Sequence, residues 1–231
     1  MANPVNEQGA PVKEQTLNSQ EAFFLKYKKA IIGIVVAVIV IIAGYIAYSN
    51  FYAGPREDKA ATAVAKAQEL FAQQQYELAL KGDKSFEGFL QVASNYSGTD
   101  AANLANLYAG LCYAKMDKWQ EAVKYLDQFS AQDDALISPS AMAALGNAYA
   151  HTKQVDKAIS CLKKAADMAN SEAKDNISIS IAPTCLMQAA RLLESQKKND
   201  EALVIYQDIK AKYVKSPYRS EIDKYIERLK K

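Results

Sequence analysis

The hydropathy pattern divides the chain into one unbroken apolar run and a long stretch of helical periodicity. Ala30 to Tyr48 reads AIIGIVVAVIVIIAGYIAY, with no charged side chain on any face. As a helix rising ~1.5 Å per residue this run covers roughly 29 Å, the thickness of a bilayer's hydrocarbon core. In lipid the backbone must satisfy its own hydrogen bonds, so even a run rich in Val and Ile becomes helical. Tyr27 on one side and Tyr45, Tyr48 and Tyr52 on the other fit an interfacial aromatic belt. The run is longer than a signal-peptide core, and Ala47-Tyr48-Ser49 is only a loose cleavage site. The prediction is a retained single-pass anchor over 30–50 that sits in a lipid bilayer. Lys26, Lys28 and Lys29 precede the span, whereas the far flank, Arg56-Glu57-Asp58-Lys59, is mixed in charge. The positive-inside rule then makes residues 1–29 a cytoplasmic tail and places 57–231 across the inner (cytoplasmic) membrane, in the periplasm. Within the tail, the first half, with Pro4, Gly9 and Pro11, reads as disordered, and Gln20 to Lys29 as a helical lead-in.

Residues 57–231 contain no second apolar run; their periodicity repeats. Laying Ala109-Gly110 on Leu145-Gly146 gives a period of 36 and superposes Tyr113 on Tyr149, Ala122 on Ala158 and Leu126 on Leu162. A further shift of 44 lays Ala158 on Ala202 and Leu162 on Tyr206, the eight extra residues falling in the polar stretch Asn170–Ile181. In a helix–turn–helix reading, Gly110 and Gly146 let a second helix approach the first. Ala122, Ala158 and Ala202 are the small residues that accept that approach. One such pair cannot bury both faces, so pairs must stack. Upstream, Lys59–Leu80 carries an amphipathic stripe (Ala60, Val64, Ala67, Phe71). Gly82 and Asp83 read as a helix stop and an N-cap, and Ser85–Asn95 as a second helix, making a degenerate first pair. Ser138-Pro139 and Ser216-Pro217 read as an N-cap followed by the first helical position, and Ile222, Tyr225, Ile226 and Leu229 form one face of a capping helix.

The pattern Leu145-Gly146-x-x-Tyr149…Ala158-x-x-x-Leu162-x-x-Ala165 resembles the tetratricopeptide repeat (TPR) signature. It fits best over Pro139–Ala169, well over Asn103–Asp134, and loosely over Pro183–Ser216, where Ala190 replaces the glycine and Leu193 the tyrosine. The resemblance implies an all-α fold: a TPR-like α-solenoid of about three to four helical pairs plus a C-terminal capping helix, following the transmembrane helix. It also implies a concave protein-binding groove lined by the first helices. By register this groove holds Leu104, Leu107, Leu111 and Lys115, then Ser140, Ala143, Asn147 and His151, then Thr184, Met187, Arg191 and Ser195. Its floor runs from apolar to polar, which suits an amphipathic helix or an unfolded segment. Ala143 stands four residues before Asn147, where the TPR clamp for chaperone C-termini has a lysine. Tyr96-Ser97-Gly98-Thr99 and Tyr213-Val214-Lys215-Ser216 are similar to the Tyr-Pro-x-Ser inter-repeat turns of bacterial envelope TPR proteins, without the proline. The layout of lysine-flanked aromatics, one span and a TPR domain resembles the YfgM-type ancillary subunit of the bacterial Sec translocon. That implies a membrane-anchored adaptor or chaperone-like subunit in envelope protein export, with the translocon, periplasmic chaperones or exported chains as partners. A structural scaffold of another envelope complex, in division, secretion or outer-membrane maintenance, is the alternative.

Composition narrows the chemistry. Twenty-eight basic against 26 acidic residues give a net charge of +2, without the basic excess of a nucleic-acid binder. One histidine excludes a multi-His metal site, and three scattered cysteines form no CxxC pair and read as small apolar packing, although one pair could bridge in an oxidising envelope. No phosphate loop, GxSxG or HExxH motif is present. The expectation is therefore no enzyme, no cofactor and no metal. His151 reads as a groove histidine, Trp119 as turn packing, and Asp133-Asp134 as solvated surface.

Overall fold

The computed structural model describes residues 19–230. The expectation of a disordered first half of the tail lies outside the described residues. The chain divides after Ala53 into an N-terminal segment and a solenoid. The N-terminal segment is helix α1 (Ser19–Tyr48) followed by a π-helical turn, Ser49–Ala53. Among the described residues it holds the one helix long and apolar enough, by length and composition, to cross a membrane. Its apolar side chains, among them Ile34, Ile41 and Tyr45, lie on every face of the helix.

The solenoid is all helix. Its members are α2 (Gly54–Ala72), α3 (Tyr76–Lys81), α4 (Phe89–Asn95), α5 (Asp100–Lys115), α6 (Trp119–Leu126), α7 (Ile137–His151), α8 (Val155–Ser171), α9 (Ile181–Ser195), α10 (Asn199–Lys212) and α11 (Ile222–Leu229). Four helical pairs follow one another: α2 with α3–α4, α5 with α6, α7 with α8, and α9 with α10. All four share one turn. Gln74, Asp117, Lys153 and Lys197 each adopt a left-handed conformation (φ 59–62°). The next residue's N–H then reaches back to the carbonyl five residues earlier, at 2.9 Å in each pair, as from Lys118 to Tyr113 and from Gln154 to Tyr149. This closes a helix C-terminus in the manner of a Schellman turn, with no glycine to ease the conformation.

The turn corrects the reading of the first pair. The stripe over Lys59–Leu80 is two helices, broken at Gln73–Gln75. Asp83 does not cap α4; its carboxylate accepts from Ser85 N–H and Oγ–H, and Gly88 precedes α4. α7 opens at Ile137, which puts Ser138 and Pro139 inside its first turn and not at its N-cap and first position; no helix starts at Pro217, and α11 opens at Ile222.

Small residues set the helix spacing. Ala79, Ala122, Ala158 and Ala202, one per pair, are all fully buried. A Cβ added at Gly110 would lie 2.5 Å from Leu126 Cγ and 3.0 Å from the Leu126 backbone nitrogen. At Gly146 the corresponding contacts are 3.0 Å to Leu162 Cγ and 3.2 Å to the Ala158 carbonyl. Alanine is the better helix former by ~1 kcal/mol. The clash should win at Gly110, lowering stability by ~1–2 kcal/mol net, while Gly146→Ala should fall nearer to neutral; urea unfolding of the two variants measures the difference. In the last pair Ala190, Leu193 and Tyr206 are buried to 1% or less, so replacing the glycine and the tyrosine leaves the pair packed, with Tyr206 supplying volume.

Candidate protein-binding groove

The groove residues sit on α5, α7 and α9, the first helices of the second, third and fourth pairs. Leu104, Leu107, Leu111 and Ser140 converge with Tyr108, Leu136 and Ile137 on an apolar cleft of about 280 Å³ between α5 and α7. A second hollow of about 310 Å³ adjoins it, sharing Leu104 and Ile137 and adding Phe129. Leu136 and Ile137 are 67% and 50% exposed, a large apolar display for a soluble surface. A third cleft, of about 350 Å³ between α7 and α9, brings Ser140, Ala143, Asn147 and Thr184 together with Ser180, Ile181 and Gln188. The floor thus passes from leucine to hydroxyl and amide along the solenoid.

The remaining groove positions are placed differently. Lys115 is exposed in the last turn of α5 and lines none of these clefts. His151 is exposed but stacked flat on Trp119, ring centroids 3.6 Å apart and planes 6° from parallel. This contact joins the turn of one pair to the helix end of the next. Met187 is 1% exposed and shares a buried cluster with Ile222 and Ile226 of α11, so it is corrected from groove lining to core. Arg191 donates to Tyr225 Oη at 2.8 Å, with Arg191 and Arg228 both over the Tyr225 ring. That bond to Tyr225 holds the Arg191 guanidinium above its ordinary pKa. Ser195 Oγ donates to the Leu192 carbonyl, and Tyr218 Oη reaches Thr184 Oγ1 at 3.4 Å. The C-terminal segment therefore engages the groove's far end through Thr184, Met187 and Arg191, while Arg191 and Ser195 stay exposed. Glu194 fastens it, accepting from Arg228 at 2.7 Å and from Tyr206 Oη at 2.5 Å.

Asp134 is a residue the sequence reading assigned to solvated surface, and here it builds the site. Its carboxylate accepts from the N–H groups of Leu136, Ile137 and Ser138, closing the start of α7 and fixing the two apolar side chains at the cleft mouth. Partial burial pushes its pKa up. The hydrogen bonds from Ser138, Leu136 and Ile137 outweigh that and hold it below the ordinary carboxylate value. A folded-state pKa below the unfolded one means the stabilisation is present above the unfolded pKa. It is lost as pH falls through the folded one. Asp134→Ala should cost ~0.5–2 kcal/mol at neutral pH, as for a lost helix cap. Acid titration of unfolding from pH 5 to pH 2 should show the wild-type and variant curves converging.

The cysteines are free thiols, and burial pushes Cys112 up to about 12 and Cys185 to about 11. Neither is a thiolate at neutral pH.

The tetratricopeptide repeat-like domain family matches residues 21–178, and the tetratricopeptide repeat family matches 184–216. The chain belongs to the tetratricopeptide repeat-like family. The first match begins inside α1, so it takes in the apolar helix as well as the solenoid. Among solved structures, the chain is similar to the nearly identical TPR-like repeats of a Podosopora anserina protein classed as a kinesin light chain. The identity is 16% and the TM-score 0.56, over 73% of this chain and 83% of that one. A glutamine-to-methionine variant of the same repeats gives 16% and 0.55 over the same shares. These establish the solenoid fold. No curated protein matches the sequence. TPR folds are typically non-catalytic interaction scaffolds, and this one is a protein–protein interaction module.

Proposed function

We propose that the protein is a membrane-anchored TPR adaptor that receives apolar polypeptide segments in the cleft between α5 and α7. The observation that carries this reading is the exposed apolar mouth, Leu136 and Ile137 over Leu104 and Leu111. A soluble scaffold gains nothing from such a surface unless a partner covers it. α1 serves as the anchor, with Lys26, Lys28 and Lys29 keeping its N-terminal side in the cytoplasm and the solenoid on the far side of the inner membrane. The YfgM-type layout supports a place beside the Sec translocon, where chains emerge unfolded and apolar segments need shelter. Leu104, Leu107, Leu111, Ser140, Ala143 and Asn147 form the working groove; the far end from Thr184 onward, engaged by the C-terminal segment, does not take part.

The experiment is a photo-crosslinker placed at Leu104 in living cells, with Lys164 on the exposed face of α8 as control. The reading expects adducts with translocon subunits, periplasmic chaperones or newly exported chains at Leu104 and none at Lys164. A single stable partner and no transient clients would favour the scaffold instead. Protease added to spheroplasts should remove the solenoid, and protease added to inverted vesicles should not.

A further inference from the structure

Among the described residues of the solenoid, six large aliphatic side chains stand out into solvent. Five of them, Leu136, Ile137, Ile177, Ile179 and Val214, lie at the connectors that lead from one helical pair to the next. The opposite edge, made by the left-handed turns within each pair, carries Gln73–Gln75, Asp117–Lys118 beside the half-buried Met116 and Trp119, Thr152–Gln154 and Gln196–Lys198, and holds no exposed large aliphatic side chain. The edge with the apolar side chains is also the edge on which the solenoid begins. The Glu57 carboxylate, at the start of α2, accepts from the N–H groups of Asp100 and Ala101 at the start of α5, both at 2.8 Å. Arg56 beside it donates to the carbonyls of Asn95 and Ser97 at the end of α4. The first residues of α2 are thus tied to this edge.

The eight residues by which the last period of 44 exceeds the preceding one of 36 build the most developed patch. Ile177 and Ile179 project from this insertion and Val214 from the following connector. Together they line a mostly apolar cleft of about 430 Å³ rimmed by Lys174, Lys212 and Lys215, with Asp175 the one acid among the lining residues. Lys212 also pairs with Asp208 at 2.8 Å. The loop is held in shape at a conformational cost, since Asp175 and Asn176 are both left-handed, at φ 61° and 55°. Asn170 ties its two walls together, accepting from Ser178 N–H and donating to Tyr213 Oη at 2.8 Å.

We infer that this insertion is a second membrane contact, in which Ile177, Ile179 and Val214 enter the interface of an anionic phospholipid bilayer and Lys174 and Lys215 meet its headgroup phosphates. The inference rests on the reading of α1 as an anchor. Branched aliphatic side chains ringed by lysine are the pattern of a protein lying in the headgroup boundary, and each lysine adds attraction to an anionic surface. A tethered domain meets the bilayer at high effective concentration, so a contact too weak to bind a free protein suffices here.

The test uses the full chain in nanodiscs of phosphatidylglycerol with brominated acyl chains. Trp119, the chain's single tryptophan, starts α6 on the opposite edge and reports the unquenched background. Ile179→Trp adds a second reporter, and its emission should fall by about half relative to discs with unbrominated chains, as for a side chain in the acyl boundary, while the wild-type emission is unchanged. Lys174→Glu with Lys215→Glu should abolish most of that quenching. A chain that copurifies with the discs but shows no quenching at position 179 overturns the inference and leaves the anchor standing. A chain that fails to enter the discs overturns the anchor reading and this contact with it. Equal quenching in zwitterionic phosphatidylcholine discs overturns the role given to the lysines.

Discussion

Gly88→Ala should be the most damaging single methyl group in the solenoid. A Cβ at Gly88 would lie 2.3 Å from the Gly82 nitrogen, 2.5 Å from the Lys81 carbonyl carbon and 2.6 Å from the Leu80 carbonyl oxygen. All three are backbone atoms, so no rotamer change relieves the clash. The partner position offers no slack, because Gly82 is itself left-handed at φ 69° and a Cβ there would meet Gly88 N at 2.4 Å. The two glycines close the loop that turns α3 into α4, through a single bridge between Gly82 and Glu87. Overpacking of this kind costs up to ~3 kcal/mol, and the rigid neighbours put Gly88→Ala at the top of that range. In a stack of repeats the damage stays local. Hydrogen exchange of the variant should show lost protection over α2–α4 and near-normal protection over α7–α10. Uniform loss across all helices would mean that the solenoid folds as one cooperative block.

Leu111→Glu should have the largest effect on binding. Leu111 is half-buried on the wall of the apolar cleft, with Leu104, Leu107 and Tyr108 on the same helix and Ile137 opposite. A carboxylate there must stay hydrated, which a bound apolar segment prevents. A central apolar contact carries ~2 kcal/mol or more of binding energy, so affinity for an unfolded apolar polypeptide should fall roughly thirtyfold. The side chain has room to reach water in the free protein, so the melting temperature should move by only a few degrees, about 1 kcal/mol of stability. Asn147→Ala, in the polar cleft, should change affinity far less. Matched loss from both substitutions would place the partner elsewhere.

Much of the fold was legible because helix pairing leaves a local signature. Gly110 and Gly146 mark close approach, and Ala122, Ala158 and Ala202 mark the surface that accepts it, whatever the rest of the chain does. The break at Gln73–Gln75 was hidden because glutamine gives no sign of a left-handed turn. Only its alignment, 43 residues before Asp117, reveals it. Helical register was enough to bring Leu104, Leu111 and Ser140 to one cleft. It failed at Met187, which packs against α11 in the core, and gave no sign of the Arg191 bond to Tyr225, since Tyr225 lies 34 residues beyond Arg191 and helical register says nothing of such contacts. Asp134 was missed for a related reason. A loop carboxylate becomes a cap only through the path the chain takes to reach α7.

The central claim is that one stretch of the concave face is open and apolar and that polypeptide fills it. Hydroxyl-radical footprinting of the full chain, with and without a saturating unfolded apolar polypeptide, tests this side chain by side chain. Leu104, Leu111, Leu136 and Ile137 should each lose most of their reactivity when the polypeptide is present, while Val204 on α10 keeps its own. Unchanged reactivity at those four, or protection spread equally to Val204, would contradict it.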